Sequence, residues 1–147
     1  MIIQDRIFDD EGSLRSGTLN ALIELLIPTR EYSPRRSYIF AVLVNIRIFV
    51  PPPELLQKIL QLCVFEQNAK AANFTKEGRT RIFRGIYKLC LEWTQSIPYD
   101  FRDPQMQTRL VELLNLCPID KECKLQIDRL LEQLFHTVCS LSAQNSF

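Results

Sequence analysis

The feature that most constrains this 147-residue chain is an apolar stretch, Tyr38 to Val50, that lies between proline-containing segments. Drawn as a helix, the residues from Ile39 to Phe49 place apolar side chains on nearly every side. Such a helix can expose little of its surface to water, so other helices are expected to surround it. We therefore predict that this stretch is the central helix of a helical bundle.

The same stretch does not predict a membrane span. Its longest unbroken apolar run, Tyr38 to Val44, is too short to cross a bilayer, and Asn45 and Arg47 interrupt its extension. The net charge of +1 gives no general attraction to nucleic acid or to anionic lipid. We expect neither a membrane span nor a nucleic-acid partner.

Start and stop signals flank this stretch on its N-terminal side. Thr18 is expected to cap a first helix, because its hydroxyl can accept a bond from an unpaired amide, and Pro28 is expected to stop that helix. Ser33 followed by Pro34 has the same form, a hydroxyl cap and then a proline whose missing N–H costs nothing in the first turn. These signals predict two successive helices.

Helical spacing of apolar residues continues to the end of the chain. It predicts helices from Pro53 to Gln67, from Arg79 to Ser96, from Asp103 onward and after a capping Asp120. Residues 68–78 are polar and are expected to form a loop. Residues 4–8 are expected to be a short strand or extended arm, and residues 140–147 a frayed tail.

These elements define the fold class and the domain organisation. We predict an all-α, irregular orthogonal bundle of about six helices, since the apolar spacing is helical and four glycines are few for a sheet protein. An N-terminal arm would occupy residues 1–12, one helical domain residues 13–142 and the tail residues 143–147. A chain of this length supports one substantial core.

Two residues in this pattern need partners. Trp93 falls in phase with Ile82, Ile86 and Leu89, which favours core packing over a ligand pocket. Arg47 lies in the otherwise apolar stretch, so its guanidinium must find water, a carbonyl or a carboxylate. We expect a structural ion pair with Asp100 or Glu92, or a cap on a helix carbonyl.

The order of the short motifs resembles a known family. A Gly-Thr-Leu helix precedes an aromatic-rich helix with an Arg two residues before a Phe, a Pro-Glu-Leu-Leu helix start, and then a Trp and a Pro-Tyr-Asp-Phe corner. The residues concerned are Gly17, Thr18, Leu19, Phe40, Arg47, Phe49, Pro53, Leu55, Leu56, Trp93, Pro98, Asp100 and Phe101. This order, over about residues 12 to 116, resembles the N-terminal domain, or Ras exchanger motif, of Ras-family guanine nucleotide exchange factors, most of all the short RasGEF domain-containing factors.

That resemblance implies a function. The family's N-terminal domain is a non-catalytic regulatory module, which would pack against a catalytic RasGEF domain, in cis or in trans, and stabilise it. It would thereby support GDP release from a Ras- or Rap-type small GTPase. Nothing in this sequence resembles the catalytic domain itself. The alternative is a generic helical adaptor that binds a partner helix or peptide without any link to GTPases.

Enzyme, metal and cofactor sites are not expected. The chain has no GxxxxGK[ST] loop and no GxGxxG turn, so it has no recognisable nucleotide site. His136, the only histidine, and Cys139 form a conceivable nucleophile pair, and with Cys117 and Cys123 a conceivable zinc set, but their apolar neighbours favour a buried or half-buried helix face. Five cysteines without a CxxC pair, and no secretory signal, indicate a reducing, cytoplasmic location, with any membrane recruitment through partners.

Two basic clusters are the candidate contacts for an acidic partner. Arg81, Arg84 and Lys88 form a stripe on one face of the fourth helix, for which a plain solvated face is the alternative interpretation. Arg35 and Arg36 lie with Arg30 near the start of the second helix. Positive charge there opposes the helix dipole, which favours an acidic partner at that end.

Overall fold

The computed structural model describes residues 16–70, 75–116 and 120–144, and side chains within 19–67, 75–116 and 120–141. Its elements are α1 (Ser16–Glu24), α2 (Arg36–Ile46), α3 (Pro52–Lys70), α4 (Lys76–Ser96), a 3₁₀ turn (Pro98–Arg102), α5 (Pro104–Leu114) and α6 (Lys121–Gln144). The described residues contain six α-helices and no strand, which confirms the predicted fold class. None of these helices combines the length and the apolar character that crossing a bilayer requires.

The central helix is α4, and not the apolar stretch from which we expected this role. α4 packs against α2, α5, α6 and the 3₁₀ turn, and it buries a face that includes Ile82, Ile86, Leu89 and Trp93. α2 packs mainly on α4 and keeps large apolar side chains in contact with solvent on its other side. The prediction that neighbours surround α2 was therefore wrong.

Helix starts follow the predicted signals in the second half of the chain. The Asp103 carboxylate accepts a bond from the Gln105 backbone N–H at 2.9 Å, and the Asp120 carboxylate accepts one from Cys123 N–H at 3.0 Å. Hydrogen bonds from Cys123 hold the pKa of Asp120 below its usual value. These are the bonds that a helix N-cap supplies to otherwise unpaired amides.

In the first half the predicted caps were wrong. α1 already includes Ser16, so Thr18 lies inside its first turn. α2 begins at Arg36 after an extended Arg35, whose side chain makes no capping bond, while Ser33 stays outside the helix. The residues before α2 instead close on themselves, because the Thr29 side-chain oxygen accepts the backbone N–H of Tyr32 at 3.0 Å.

The helix boundaries also differ from the expected loop and tail. α3 extends to Lys70 and α4 begins at Lys76, so the loop is shorter than residues 68–78; Thr75, which accepts a bond from Gly78 N–H, caps α4. α6 continues to Gln144, into the segment expected to fray. The predicted arm at residues 4–8 lies outside the described residues.

A close contact between Pro28 and α4 fixes the loop that joins α1 to α2. Pro28 is buried, and a Cβ added to Gly85 would lie 2.3 Å from Pro28 Cβ, far inside van der Waals contact. A Cβ added to Gly78, two turns earlier, would meet the Arg30 side chain at 2.8 Å. Only a residue without a side chain lets the loop approach α4 this closely at Gly85.

We predict that Gly85→Ala destabilises the domain. The ring of Pro28 cannot swing away, so the added methyl should cost about 2 kcal/mol as an overpacked contact, even after the gain of about 1 kcal/mol in helix propensity. Gly78→Ala is the matched control, because the Arg30 side chain is flexible and can move aside. Urea unfolding followed by circular dichroism should show a lower midpoint for Gly85→Ala alone; equal midpoints would contradict the steric account.

Candidate interaction surface

The outer side of α2 is an exposed apolar surface. Phe40 and Val44, one helical turn apart, are 46% and 41% exposed, and in the turn after the helix Ile48 and Phe49 are 77% and 38% exposed. We call these four residues the α2 face. Soluble monomers rarely keep such large side chains together in water, and where they do the patch is commonly a binding site.

The inner side of the same helix explains why the α2 face is held outward. Ile39, Val42, Leu43 and Ile46 are all at most 4% exposed and pack into the core that α4 dominates. Their spacing of three and four residues places them on one side of a helix, which leaves Phe40 and Val44 on another. The sequence therefore makes a helix with two apolar sides, of which this core uses one.

Arg47 fixes the C-terminal end of α2. Its Nε donates to the Leu43 carbonyl at 3.0 Å, and its two terminal nitrogens donate to the two carboxylate oxygens of Asp100 at 3.1 and 2.8 Å. The structure thus shows both of the roles expected for Arg47, the carbonyl cap and the ion pair. Two parallel bonds between a guanidinium and a carboxylate define direction as well as distance.

Trp93 completes this arrangement from α4. Its indole Nε1 donates to Asp100 Oδ2 at 2.8 Å, and its ring packs edge-on against Phe101 with centroids 5.7 Å apart. Trp93 is 1% exposed and Phe101 0%, so both belong to the core as predicted for Trp93. The Asp100 carboxylate accepts from side chains, rather than from backbone amides of its own turn.

Glu92, the other carboxylate considered for Arg47, has a different partner. Arg36 Nε donates to its Oε2 at 2.5 Å, and the Ser96 hydroxyl donates to its Oε1 at 2.9 Å. The start and the end of α2 are therefore each joined to α4 or to the turn that follows it by an ion pair. This double attachment holds the α2 face in one orientation.

Other residues of the resemblance lie in the frame of the domain. Leu19 is partly buried against the core, and Leu55 and Leu56 of α3 are 2% and 0% exposed. The Pro53 carbonyl accepts a bond from Arg109 of α5, and Pro98 opens the 3₁₀ turn. Gly17 and Thr18 lie in α1, and of these two residues only the backbone is described.

The structure separates the five basic residues predicted for an acidic partner. Arg36 pairs with Glu92, and Arg35 precedes α2 in an extended conformation. Arg81, Arg84 and Lys88 remain together on the exposed side of α4, beside the loop that carries Arg30. Sequence spacing found the stripe on α4 but could not show that this loop lies against it.

The described cysteine and histidine residues of α6 do not fit the zinc site considered, and Cys117 lies outside the described residues. His136 and Cys139 are exposed on α6, so the buried or half-buried helix face expected for them was wrong. Thirteen residues of continuous helix, about 20 Å, separate Cys123 from His136, so they cannot share one zinc ion. Burial raises the pKa of the Cys63 thiol to about 12 and also raises that of Cys90, so neither is a thiolate nucleophile at neutral pH.

Phe65 is one of the exposed apolar residues that lie away from the α2 face, and the sequence analysis missed it. Phe65 of α3 is 69% exposed and borders a groove of about 490 Å³ between α1 and α3, with Ile23 and Leu62 among its lining residues. Its sequence neighbours Leu62 and Val64 fall at helical spacing with other apolar residues of α3, a pattern that predicts a core-facing side and gives no sign of an exposed Phe65. The excess of apolar residues over what one helix face can bury is the signal that could have identified it.

Comparison with known proteins identifies relatives of the chain. The RasGEF N-terminal motif family matches residues 13–115. Ras-GEF domain-containing family member 1B of Bos taurus is 34% identical over 137 residues, which cover 92% of this chain and 29% of that protein. Family member 1B-A of Danio rerio is 42% identical over 107 residues, 73% of this chain and 21% of the relative. The chain spans less than a third of these relatives, and no solved structure matches it.

We predict that Arg47→Met destabilises the domain by about 3 kcal/mol, because the side chain of Asp100, only 6% exposed, loses its countercharge. Arg102→Met is the matched control. Arg102 lies in the same 3₁₀ turn as Asp100, and its Cζ is 4.9 Å from the centroid of the Tyr99 ring, an exposed contact worth about 0.5–1 kcal/mol. Thermal unfolding should separate the two variants by several degrees. Equal melting temperatures would show that the ion pair carries no net stability.

Proposed function

The chain belongs to the RasGEF N-terminal motif family, and we propose that it is the non-catalytic module that packs against the catalytic RasGEF domain of a Ras- or Rap-type exchange factor. The relatives are named for a Ras-GEF domain, and the family is an accessory part of such proteins. The observation that carries the proposal is the α2 face, an apolar surface that this domain's own core leaves uncovered.

The proposed mechanism is indirect. The module would bind the active conformer of the catalytic domain more tightly than inactive ones and so raise its population. It contributes no reacting group to GDP release, and nucleotide exchange by this chain alone is not expected. In cis, a short flexible linker gives an effective concentration in the millimolar range, so a modest surface would suffice.

The position of Ile48 and Tyr99 supports the α2 face as the docking surface. Each is the sequence neighbour of one partner in the Arg47–Asp100 ion pair, and they are 77% and 60% exposed. Exposed apolar side chains on a rigid support lose little conformational freedom when they bind. The ion pair would therefore preorganise the contact.

A generic adaptor is the second candidate, and the groove beside Phe65 favours it. An amphipathic helix could place its apolar side in this groove between α1 and α3. Lys58 and Glu24 at the same groove would then contact the polar edge of that helix. The two candidates thus predict different contact surfaces on one molecule.

We predict that Ile48→Glu weakens association with a catalytic RasGEF domain at least tenfold, about 1.4 kcal/mol, because a carboxylate would be buried in an apolar contact. The domain can be mixed with the catalytic domain of a family 1B relative at about 0.1 mM, to compensate for the missing tether. Affinity by calorimetry and GDP release from Ras and Rap proteins are the readouts. Phe65→Glu, with a similarly exposed residue, is the matched control and should leave both unchanged.

Three outcomes would contradict this proposal. If wild-type protein forms no complex and alters no release rate, the assigned role is wrong. If Phe65→Glu weakens the complex and Ile48→Glu does not, docking uses the groove between α1 and α3. If both variants bind as wild type does, neither apolar surface is the contact.

A further inference from the structure

A basic depression lies on the side of α4 where the loop from α1 to α2 crosses it. It has a volume of about 360 Å³, and its lining includes Thr29, Arg30 and Ser33 from the loop and Arg81, Arg84 and Lys88 from α4. We call it the basic depression. None of its residues belongs to the α2 face, so it is separate from the surface used in the proposed function.

The three α4 cations that line the depression form no ion pair with a carboxylate among the described residues. Arg81, Arg84 and Lys88 are exposed and form no ion pair there. Glu92, four residues after Lys88, is the carboxylate that could have neutralised it along the helix, but Arg36 and Ser96 occupy both of its oxygens.

The spacing of Arg81, Arg84 and Lys88 places like charges close together, which lowers the stability of α4. Arg84 and Lys88 are four residues apart, a like-charge arrangement that destabilises a helix slightly. The one carboxylate at the rim, Glu31, lies 3.9 Å from Arg30 and is 82% exposed. Among the described residues, no salt bridge therefore neutralises the positive charge of Arg81, Arg84 and Lys88.

The wall of the depression is rigid. Pro28 packs against Gly85, between Arg84 and Lys88 in the sequence, and the turn from Thr29 to Tyr32 is closed by a backbone bond of 2.8 Å. The Tyr32 hydroxyl donates to the Leu25 carbonyl at 2.7 Å, which ties the loop back to the end of α1. A ligand would meet preformed geometry, which lowers the entropic cost of binding.

We propose that the basic depression binds an acidic segment of a partner protein. From Arg81 to Lys88 the stripe extends about 10 Å along the helix axis, which matches about three residues of an extended peptide and exceeds a single phosphate group. Guanidinium groups at two of the three positions can each pair with a carboxylate through two bonds.

A membrane surface fits the depression less well than a peptide does. The positive groups surround a concave site, whereas an interfacial helix presents a basic face together with apolar side chains that insert into the lipid. In the lining, the only aromatic side chain is that of Tyr32, and its hydroxyl is committed to Leu25. An acidic peptide in an extended conformation can lie along the basic depression without inserting apolar side chains into a lipid layer.

The test uses fluorescein-labelled hexaglutamate and the folded domain, with fluorescence anisotropy at low and at about physiological salt. Arg81→Gln with Arg84→Gln should weaken binding at least tenfold. The control is Lys124→Gln with Arg129→Gln, which removes the same charge from exposed positions of α6 and should weaken it less than twofold. Helix content by circular dichroism should stay at the wild-type value in both variants, since all four side chains are exposed.

Competition separates the ligand classes. Unlabelled hexaglutamate should displace the probe at much lower concentration than inorganic phosphate, and phosphatidylserine–phosphatidylcholine vesicles should retain wild-type and Arg81→Gln/Arg84→Gln protein equally. The proposal is wrong if the probe does not bind, or if the α6 control loses as much affinity as the α4 variant. It is also wrong if phosphate competes as well as the peptide, or if vesicle binding alone depends on Arg81 and Arg84.

Discussion

The buried carboxylate of Asp100 is the interaction on which the rest of the structure depends. It accepts two bonds from Arg47, at the end of α2, and one from Trp93, in the middle of the core. A carboxylate that is only 6% exposed is tolerated because each oxygen has a donor and one donor is a cation. One group thus sets the position of α2 relative to α4 and of the 3₁₀ turn relative to both.

This attachment gives α2 its unusual character. The helix has more apolar surface than the domain can bury, and its two ends are held by Arg36 and Arg47, so the excess remains at the outside in a defined place. On α4, Lys88 has no salt bridge for a related reason: Glu92, the carboxylate four residues later, is already bound to Arg36 and Ser96. In both places, the side chains that hold the helices together leave apolar or charged neighbours exposed to solvent.

The spacing of apolar residues predicted the helices well, because a buried helix face repeats every three to four residues. It also predicted that Ile82, Ile86, Leu89 and Trp93 pack together in the core. It could not predict which helix is central. Apolar residues around all of α2 are compatible with a buried helix and with one that has two contact surfaces, and sequence spacing does not distinguish what covers each side. The cap at Ser33 was wrong for a related reason: the chain before α2 forms contacts with distant residues, such as that of Pro28 with Gly85, which no local signal encodes.

The contact of Pro28 with Gly85 makes two distant parts of the sequence inseparable. A homologous segment can replace the loop of residues 28–33 only if its backbone follows the same path over a bare position on α4, and a side chain at position 85 forbids that path. Chimeras with relatives should therefore transfer the loop and the middle of α4 together. Substitutions in the loop and in the middle of α4 are therefore expected to accompany one another.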